Sequence, residues 1–382
     1  MQKIPNIPFH RPVIGSEELA ATQRVLESGW ITTGNECTLL ERECAEALKA
    51  RFAVSLSSAT AGLHVAIKLG NLPQHSRIAV STLTFAACGH VIIQAGHIPL
   101  FVDIAPDSFH MDPKLLEAHI IRYRNTDHPV SSIMCVHYAG EPRYIDEYAG
   151  LATQYGLWLI EDAAHCAPLT NKEHSYPKKD VAVFSFYATK PMTSAEGGLL
   201  CTNEEQPYIH AKILRSHGIS QETWTRYKKE SSAYDVVSDG YKYNLSDVHA
   251  AIARAQLLKQ HTLLKARERI ANEYTALFTD GEGIILPNPV HPVHAWHLFV
   301  IRIVSKNISR DTLMKTLAKA GIQTSIHFRP LHHHSYFSHY VKDTLPYADK
   351  LADEILSLPI YPGLSHKDIE YIVDTTKKAL AE

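Results

Sequence analysis

The sequence predicts an α/β protein: a large domain with a mixed, mostly parallel seven-stranded sheet flanked by helices, followed by a smaller α+β domain. Between residues 50 and 205, short apolar runs alternate with helical patterns, as in crossover connections around a parallel sheet. Those runs are near-continuously apolar, which suits strands buried on both faces. Past a proline-rich turn at Pro287–Pro292 the alternation gives way to a different pattern. A chain of 382 residues is long enough for two such units. The division is placed at 250/251, with residues 1–250 as the large domain and 251–382 as the small one.

The strand candidates are Phe52–Leu56, Ile78–Ser81, Pro99–Val102, Ser132–His137, Leu157–Ile160, Val181–Phe186 and Gly198–Cys201. Helical patterns between them include Thr60–Leu69, Ala86–Gln94 and Ile145–Tyr155. Residues 206–244 are polar and read as irregular, with the basic run from Arg226 to Glu230 as a solvated loop. Ser246 and Asp247 are cap candidates for a helix over Ser246–Gln260 that leads into a long helix to Leu277. Beyond the proline-rich turn, a strand over Trp296–Val304, a helix over Arg310–Ala320, a strand over Thr324–His327 and two closing helices make up the α+β unit.

Composition narrows the function classes. The apolar fraction of 45% and charged fraction of 20% are those of a globular protein. A net charge of −2 gives no electrostatic drive toward nucleic acid or an anionic membrane. No apolar run reaches the length of a membrane span. The first residues, with two prolines and no apolar core, do not read as a signal peptide. The six cysteines lack metal-ligand spacing and read as small buried hydrophobes in a reducing cytoplasm, the expected location. The tract His332-His333-His334 has no cysteine or carboxylate at ligand spacing. It reads as surface or cleft lining, and no metal is expected.

The candidate chemistry rests on two residues. Asp162 ends the run Leu157–Ile160, and Lys190 follows Phe184–Thr189, 28 positions later, just before a small-residue turn containing Gly197 and Gly198. Pyridoxal phosphate chemistry needs this pair. A lysine amine forms a Schiff base with the cofactor aldehyde, and an aspartate keeps the pyridine nitrogen protonated so that the ring accepts electrons. A lysine beside an apolar strand and a tight turn is partly desolvated, which lowers its pKa and frees the amine for attack and proton transfer. Upstream, Ser57–Gly62 opens a helix after a strand. The segment reads either as a plain Ser/Thr N-cap or as a phosphate site made by helix-end N–H groups, to which Thr60 adds a hydroxyl. Phe85, at a strand end, is either a core ring or a stacking surface for the pyridine. His165, one helical turn past Asp162, is either a cap or a contact to the cofactor's phenolic oxygen. Ser185 faces away from Phe184 and Phe186, toward a phosphate.

Taken in order, these segments resemble the DegT/DnrJ/EryC1/StrS family of pyridoxal-phosphate-dependent sugar aminotransferases, of fold type I. The resemblance covers nearly the whole chain. It includes Ser28–Gly34, Ser57–Thr60, Phe101–Ile104, Val136–Gly140, Glu161–His165, Phe184–Lys190 with Glu196–Gly198, Gly240–Asn244, His297–Phe299 and Ser357–Pro362. The Gly240–Asn244 segment is most similar to the branch that makes UDP-4-amino-4-deoxy-L-arabinose.

The resemblance implies a cytoplasmic homodimer with shared active sites, using L-glutamate and a UDP- or dTDP-linked ketosugar to make an amino sugar for cell-surface glycoconjugates. It implies Lys190 as the Schiff-base lysine and Asp162 as the ring-nitrogen partner. It adds Phe85 as the stacking ring, His165 at the phenolic oxygen, and Ala59, Thr60 and Ser185 at the phosphate. Asn244 reaches the partner's cofactor phosphate. Trp30, Thr32, Thr33, His327, Arg329 and His332 are expected around the sugar cleft. Ala59 stands where the family commonly has glycine. A related ketosugar 3-dehydratase would carry histidine at the Lys190 position, and a non-catalytic sugar-nucleotide-binding regulator would need neither Asp162 nor Lys190.

Overall fold

The computed structural model describes residues 5–168, 175–220, 234–278 and 283–381. The basic run at 226–230 lies outside them. Two helices, α1 (Ser16–Ser28) and α2 (Asn35–Leu48), precede the first strand. The large sheet follows as β1 (Phe52–Leu56), α3 (Ala59–Leu69), β2 (Arg77–Ser81), α4 (Ala86–Gln94), β3 (Ile98–Val102), α5 (Pro113–Tyr123), β4 (Val130–Val136), α6 (Ile145–Tyr155), β5 (Trp158–Asp162), β6 (Val181–Ser185) and β7 (Gly198–Thr202). Its strand order is β1-β7-β6-β5-β4-β2-β3. The β3–β2–β4–β5–β6 pairs are parallel. β7 runs antiparallel to both β6 and β1, which makes the sheet mixed. All seven predicted strands are present, each within two residues of its expected ends.

Side-chain alternation on β6 divides the core. Val183 packs in the cluster containing Leu63, Val65 and Ile67 of α3. Phe184 and Phe186 pack on the other face, with Cys37, Leu40 and Leu48 of α2. Ser185 follows the Val183 side, as its odd spacing predicts. A buried ion pair braces the end of β1: Arg215 meets the Glu41 carboxylate, which also accepts from Ser55 N–H (2.9 Å) and Ser55 Oγ (2.7 Å).

Arg215 closes α7 (Glu205–Arg215), a helix where irregular chain is expected. Only Ala211, Leu214 and Arg215 of α7 are fully buried, so its polar outer face hides the helix from a hydrophobicity reading. Next, α8 (Asp247–Leu277) runs unbroken across the 250/251 point for 31 residues, roughly 46 Å. Ser246 caps it by accepting from His249 N–H.

A second, antiparallel sheet is built from β8 (Ile284–Ile285), β9 (Phe299–Ile303) and, further on, β10 (Ile355–Leu358), in the order β10-β9-β8. Around it lie α9 (Arg310–Lys319), α10 (Pro346–Glu354) and α11 (His366–Ala381). Its core joins Ile270 and Tyr274 of α8 to Phe299, Leu313, Leu317 and Ile372. The expected strand over Thr324–His327 is not one: it makes a single bridge, Ser325 to Ser357. The strand that Ser325 bridges to is β10, four residues (three of them apolar) that run directly out of α10 and so read from sequence as helix end. Among the described residues, no helix is long and apolar enough to cross a membrane.

Candidate active site

Parallel strands of an open sheet place ligands beyond their carboxyl ends. A cleft of about 400 Å³ lies there. It is lined by Ala59 and Thr60 at the start of α3, Phe85 after β2, Asp162 and His165 around the end of β5, Ser185 at the end of β6, then Lys190 and His327. Eight of the predicted site residues therefore meet in one cavity. Sheet register explains the convergence: Asp162 pairs with Val136 and Val183, while Ser185 and Leu56 both pair with Gly198. The ends of β1, β5 and β6 are thus brought side by side.

The amino end of α3 opens on the cleft. Ser58 caps it by accepting from Ala61 N–H at 3.1 Å, and Ser58, Ala59 and Thr60 all line the cavity. Helix-end N–H groups with a hydroxyl beside them suit a phosphate. Phe85 is 59% exposed, unusual for a large apolar ring, with Phe328 5.8 Å away across the mouth.

Asp162 is buried. Its Oδ1 accepts from Ala164 N–H (3.0 Å) and its Oδ2 from the Cys88 thiol (3.0 Å). Lys190 sits on a turn closed by Lys190 N–H to the Tyr187 carbonyl (3.0 Å) and by Phe186 N–H to the Gly197 carbonyl (2.9 Å). Burial lowers the pKa of Lys190 to about 8, opposed by the Asp162 charge. A substantial fraction of the amine is therefore neutral near neutral pH.

His165 is buried, and its Nδ1 accepts from Ala139 N–H (3.2 Å). The neutral ring consequently carries its proton on Nε2. Burial and then the positive charges of Lys190 and His327 push its pKa well below the usual histidine value. His327 is lowered to about 4 by burial and then Lys190, and its Nδ1 lies 2.9 Å from Ser357 Oγ. His297, 4.5 Å from His165 between ring centroids, also lines the cleft and is likewise held neutral. Thr84, Tyr187, Glu196, His297 and Phe328 had no sequence signal of their own. Tyr187, Glu196 and His297 enter the sequence reading only as members of longer motifs.

Six predicted residues lie elsewhere. Asn244 Nδ2 donates to Thr33 Oγ1 (2.6 Å), Trp30 Nε1 donates to the Thr33 carbonyl (3.1 Å), and the Thr32 carbonyl accepts from Asp247 N–H (3.2 Å). These four form one group outside the cleft lining. Arg329 donates to the His333 carbonyl (2.7 Å), and His332 lies between Thr82 and Asp349. Neither lines the cleft.

The chain matches the model of the DegT/DnrJ/EryC1/StrS aminotransferase family over residues 12–377. It is 38% identical to the uncharacterized protein MJ1066 of Methanocaldococcus jannaschii over 384 aligned residues, covering 98% of each chain. Spr1654 of Streptococcus pneumoniae, provisionally named a sugar aminotransferase, has a similar structure in its apo form, with a TM-score of 0.89 at 28% identity, covering 99% of this chain and 98% of that one. It has also been solved in PLP and PMP forms. The aminotransferase TlmJ of Streptoalloteichus hindustanus gives a TM-score of 0.87 at 26% identity, covering 99% of each chain.

Proposed function

The chain belongs to the DegT/DnrJ/EryC1/StrS aminotransferase family, and from that premise we propose that it is a cytoplasmic, pyridoxal-phosphate-dependent aminotransferase that carries an amino group from L-glutamate to a nucleotide-linked ketosugar. The observation that carries this reading is the meeting of a buried carboxylate, Asp162, and a lysine lowered to about pH 8, Lys190, in one cleft with a capped helix amino end. These residues fit the cofactor. The family relative solved in PLP and PMP forms supports the same choice.

When bound, pyridoxal phosphate supplies an electron sink for the carbanion formed at the substrate carbon. Asp162 holds a proton and positive charge at the ring nitrogen, and its own two hydrogen bonds keep it from turning away. Lys190 would hold the cofactor and would move a proton at the substrate carbon. Ala59, Thr60 and Ser185 hold the phosphate. Phe85 covers the ring face and, with Phe328, limits water entry. His165, neutral and with its proton on Nε2, donates to the phenolic oxygen without adding a second cation to the site.

In this reading residues 1–250 carry the cofactor, and 251–382 close the cleft through His297, His327 and Phe328. The group Asn244, Trp30, Thr32 and Thr33 serves the active site of a second copy, which makes the working unit a homodimer. The sugar acceptor is a UDP- or dTDP-ketosugar.

The test is the visible absorbance of the purified protein with pyridoxal phosphate. L-Glutamate should bleach it, and a nucleotide ketosugar should restore it. Lys190→Ala should remove the glutamate response and the borohydride-stable adduct on that residue while leaving the circular dichroism spectrum unchanged. A protein that never takes up the cofactor, or one whose colour ignores glutamate, would overturn the proposal.

A further inference from the structure

We propose that His332, His333 and Asp349 form a metal site for a late first-row divalent cation, Zn²⁺ foremost, where the Leu331–His333 turn meets α10. The Nε2 atoms of His332 and His333 each lie 2.7 Å from the same Asp349 oxygen, Oδ1. The three ligand atoms lie within 4.8 Å of one another. Two imidazoles and a carboxylate match the donor set that zinc takes in sites that keep an open position. Tetrahedral zinc holds its ligand atoms roughly 3.3 Å apart, from bonds of about 2.0 Å, so the cluster has only to open slightly around the ion.

The scaffold behind these ligands is already fixed. His332 Nδ1 lies 2.6 Å from Thr82 Oγ1, the outer contact that orients a metal-ligating imidazole. This contact serves either tautomer. With the ring proton on Nε2 it points at Asp349, and with the proton on Nδ1 the Nε2 lone pair is released for a cation. Leu331 N–H donates to the Thr82 carbonyl (2.8 Å), tying the histidine turn to the end of β2. Asp349 sits in the first turn of α10, whose Tyr347 and Ala348 N–H groups are both held by the buried Asp103 carboxylate at 2.9 Å. His333 is half-buried and Asp349 exposed, which leaves an entry path and room for water in the remaining positions.

The primary sequence hides the site because its carboxylate arrives from another helix, 16 residues beyond His333. An ion there would clamp the segment after His327 and Phe328 to β2 and α10, fixing one wall of the cleft.

The experiment is calorimetric titration of metal-stripped, full-length protein with Zn²⁺ alone, on wild type, His333→Ala and Asp349→Asn. Asp349→Asn keeps an oxygen that accepts from both rings but removes the charge a metal needs. The expected result is one tight equivalent per chain in wild type, weakened at least ~10-fold in each variant. Zn²⁺ should also raise the melting temperature of wild type and not that of the variants. Their metal-free melting temperatures report whether they fold. Absence of a tight equivalent in wild type, or its retention in either folded variant, overturns the proposal.

Discussion

The thiol of Cys88 donates a hydrogen bond of 3.0 Å to Oδ2 of Asp162. Since Ala164 N–H occupies Oδ1, both carboxylate oxygens are held, one from α4 and one from the turn after β5. Burial, and then the Asp162 charge, push the Cys88 thiol well above its ordinary pKa, so it remains a protonated donor. Cys88 is therefore a positioning residue for Asp162, the carboxylate that the proposed function puts at the ring nitrogen. Cys88→Ser keeps a donor and should hold turnover within about threefold, whereas Cys88→Ala should lower kcat by ~10-fold, the loss of a bond to a charged group. The Ala variant should also shift the pH midpoint of the bound cofactor's absorbance, which a merely structural role would not move. An Ala variant with wild-type kcat and midpoint sinks this assignment.

The depressed Lys190 pKa has a signed consequence. Only the neutral amine attacks an aldehyde. With burial bringing its pKa from 10.5 to about 8, the reactive fraction of cofactor-free protein climbs as pH rises through 8 and then saturates. Stopped-flow absorbance should show the rate of pyridoxal phosphate capture rising ~10-fold between pH 7 and 9 and levelling off. A rate that keeps climbing tenfold per pH unit beyond 9 would mean an ordinary lysine. The same group binds fewer protons folded than unfolded between pH 8 and 10.5. Its contribution to the stability of the cofactor-free chain therefore improves as pH rises through that window.

Those two residues were legible because strand ends are local signals. An apolar run that stops at an Asp, and another that leads into Lys190, sit at the same edge of any parallel sheet. Cys88 was not legible as their partner, because its contact depends on how α4 lies against β5. His297 and Phe328 reach the cleft from irregular chain in the C-terminal part, more than 100 residues past Lys190, and no periodicity announces that arrival. The same limit explains the secondary-structure differences. α7 buries a narrow face under polar residues, and β10 is only four residues long and continuous with α10. Arg329 and His332 are sequence neighbours of His327, but the short turn at Leu331–His333 carries Arg329 to the His333 carbonyl and His332 to Thr82 and Asp349, outside the lining of this cleft.

Gly198 is a contact site between the sheet and the amino end of α3, where the proposed function puts the cofactor phosphate. A Cβ there would stand 2.5 Å from the Ser58 carbonyl carbon and 2.6 Å from the Ala59 nitrogen. Both are backbone atoms and cannot rotate aside. Gly198→Ala should push the α3 amino end out of place at a cost of about 1–3 kcal/mol, and so weaken cofactor binding by ~10-fold or more in an absorbance titration. Gly150→Ala is the control, since an added Cβ there meets nothing within 4 Å. Equal cofactor affinity in both variants would rule out Gly198 as the spacer of the phosphate site.

Asn244 bonds Thr33 outside the lining of the Lys190 cleft, and on the proposed function it serves the site of a second subunit. If Asn244 completes the partner's site, Lys190→Ala and Asn244→Ala homodimers are both impaired, but a mixed dimer is not wholly so. One of its sites takes Lys190 from the Asn244→Ala chain and Asn244 from the Lys190→Ala chain, and is intact. The other carries both defects. Random exchange of subunits makes half of the dimers mixed, so an equimolar mixture unfolded and refolded together should recover about a quarter of wild-type turnover. Separately refolded proteins combined without exchange should recover none. If co-refolding gives no more activity than the sum of the two variants, while sedimentation shows mixed dimers present, Asn244 serves its own subunit and the shared-site arrangement is wrong.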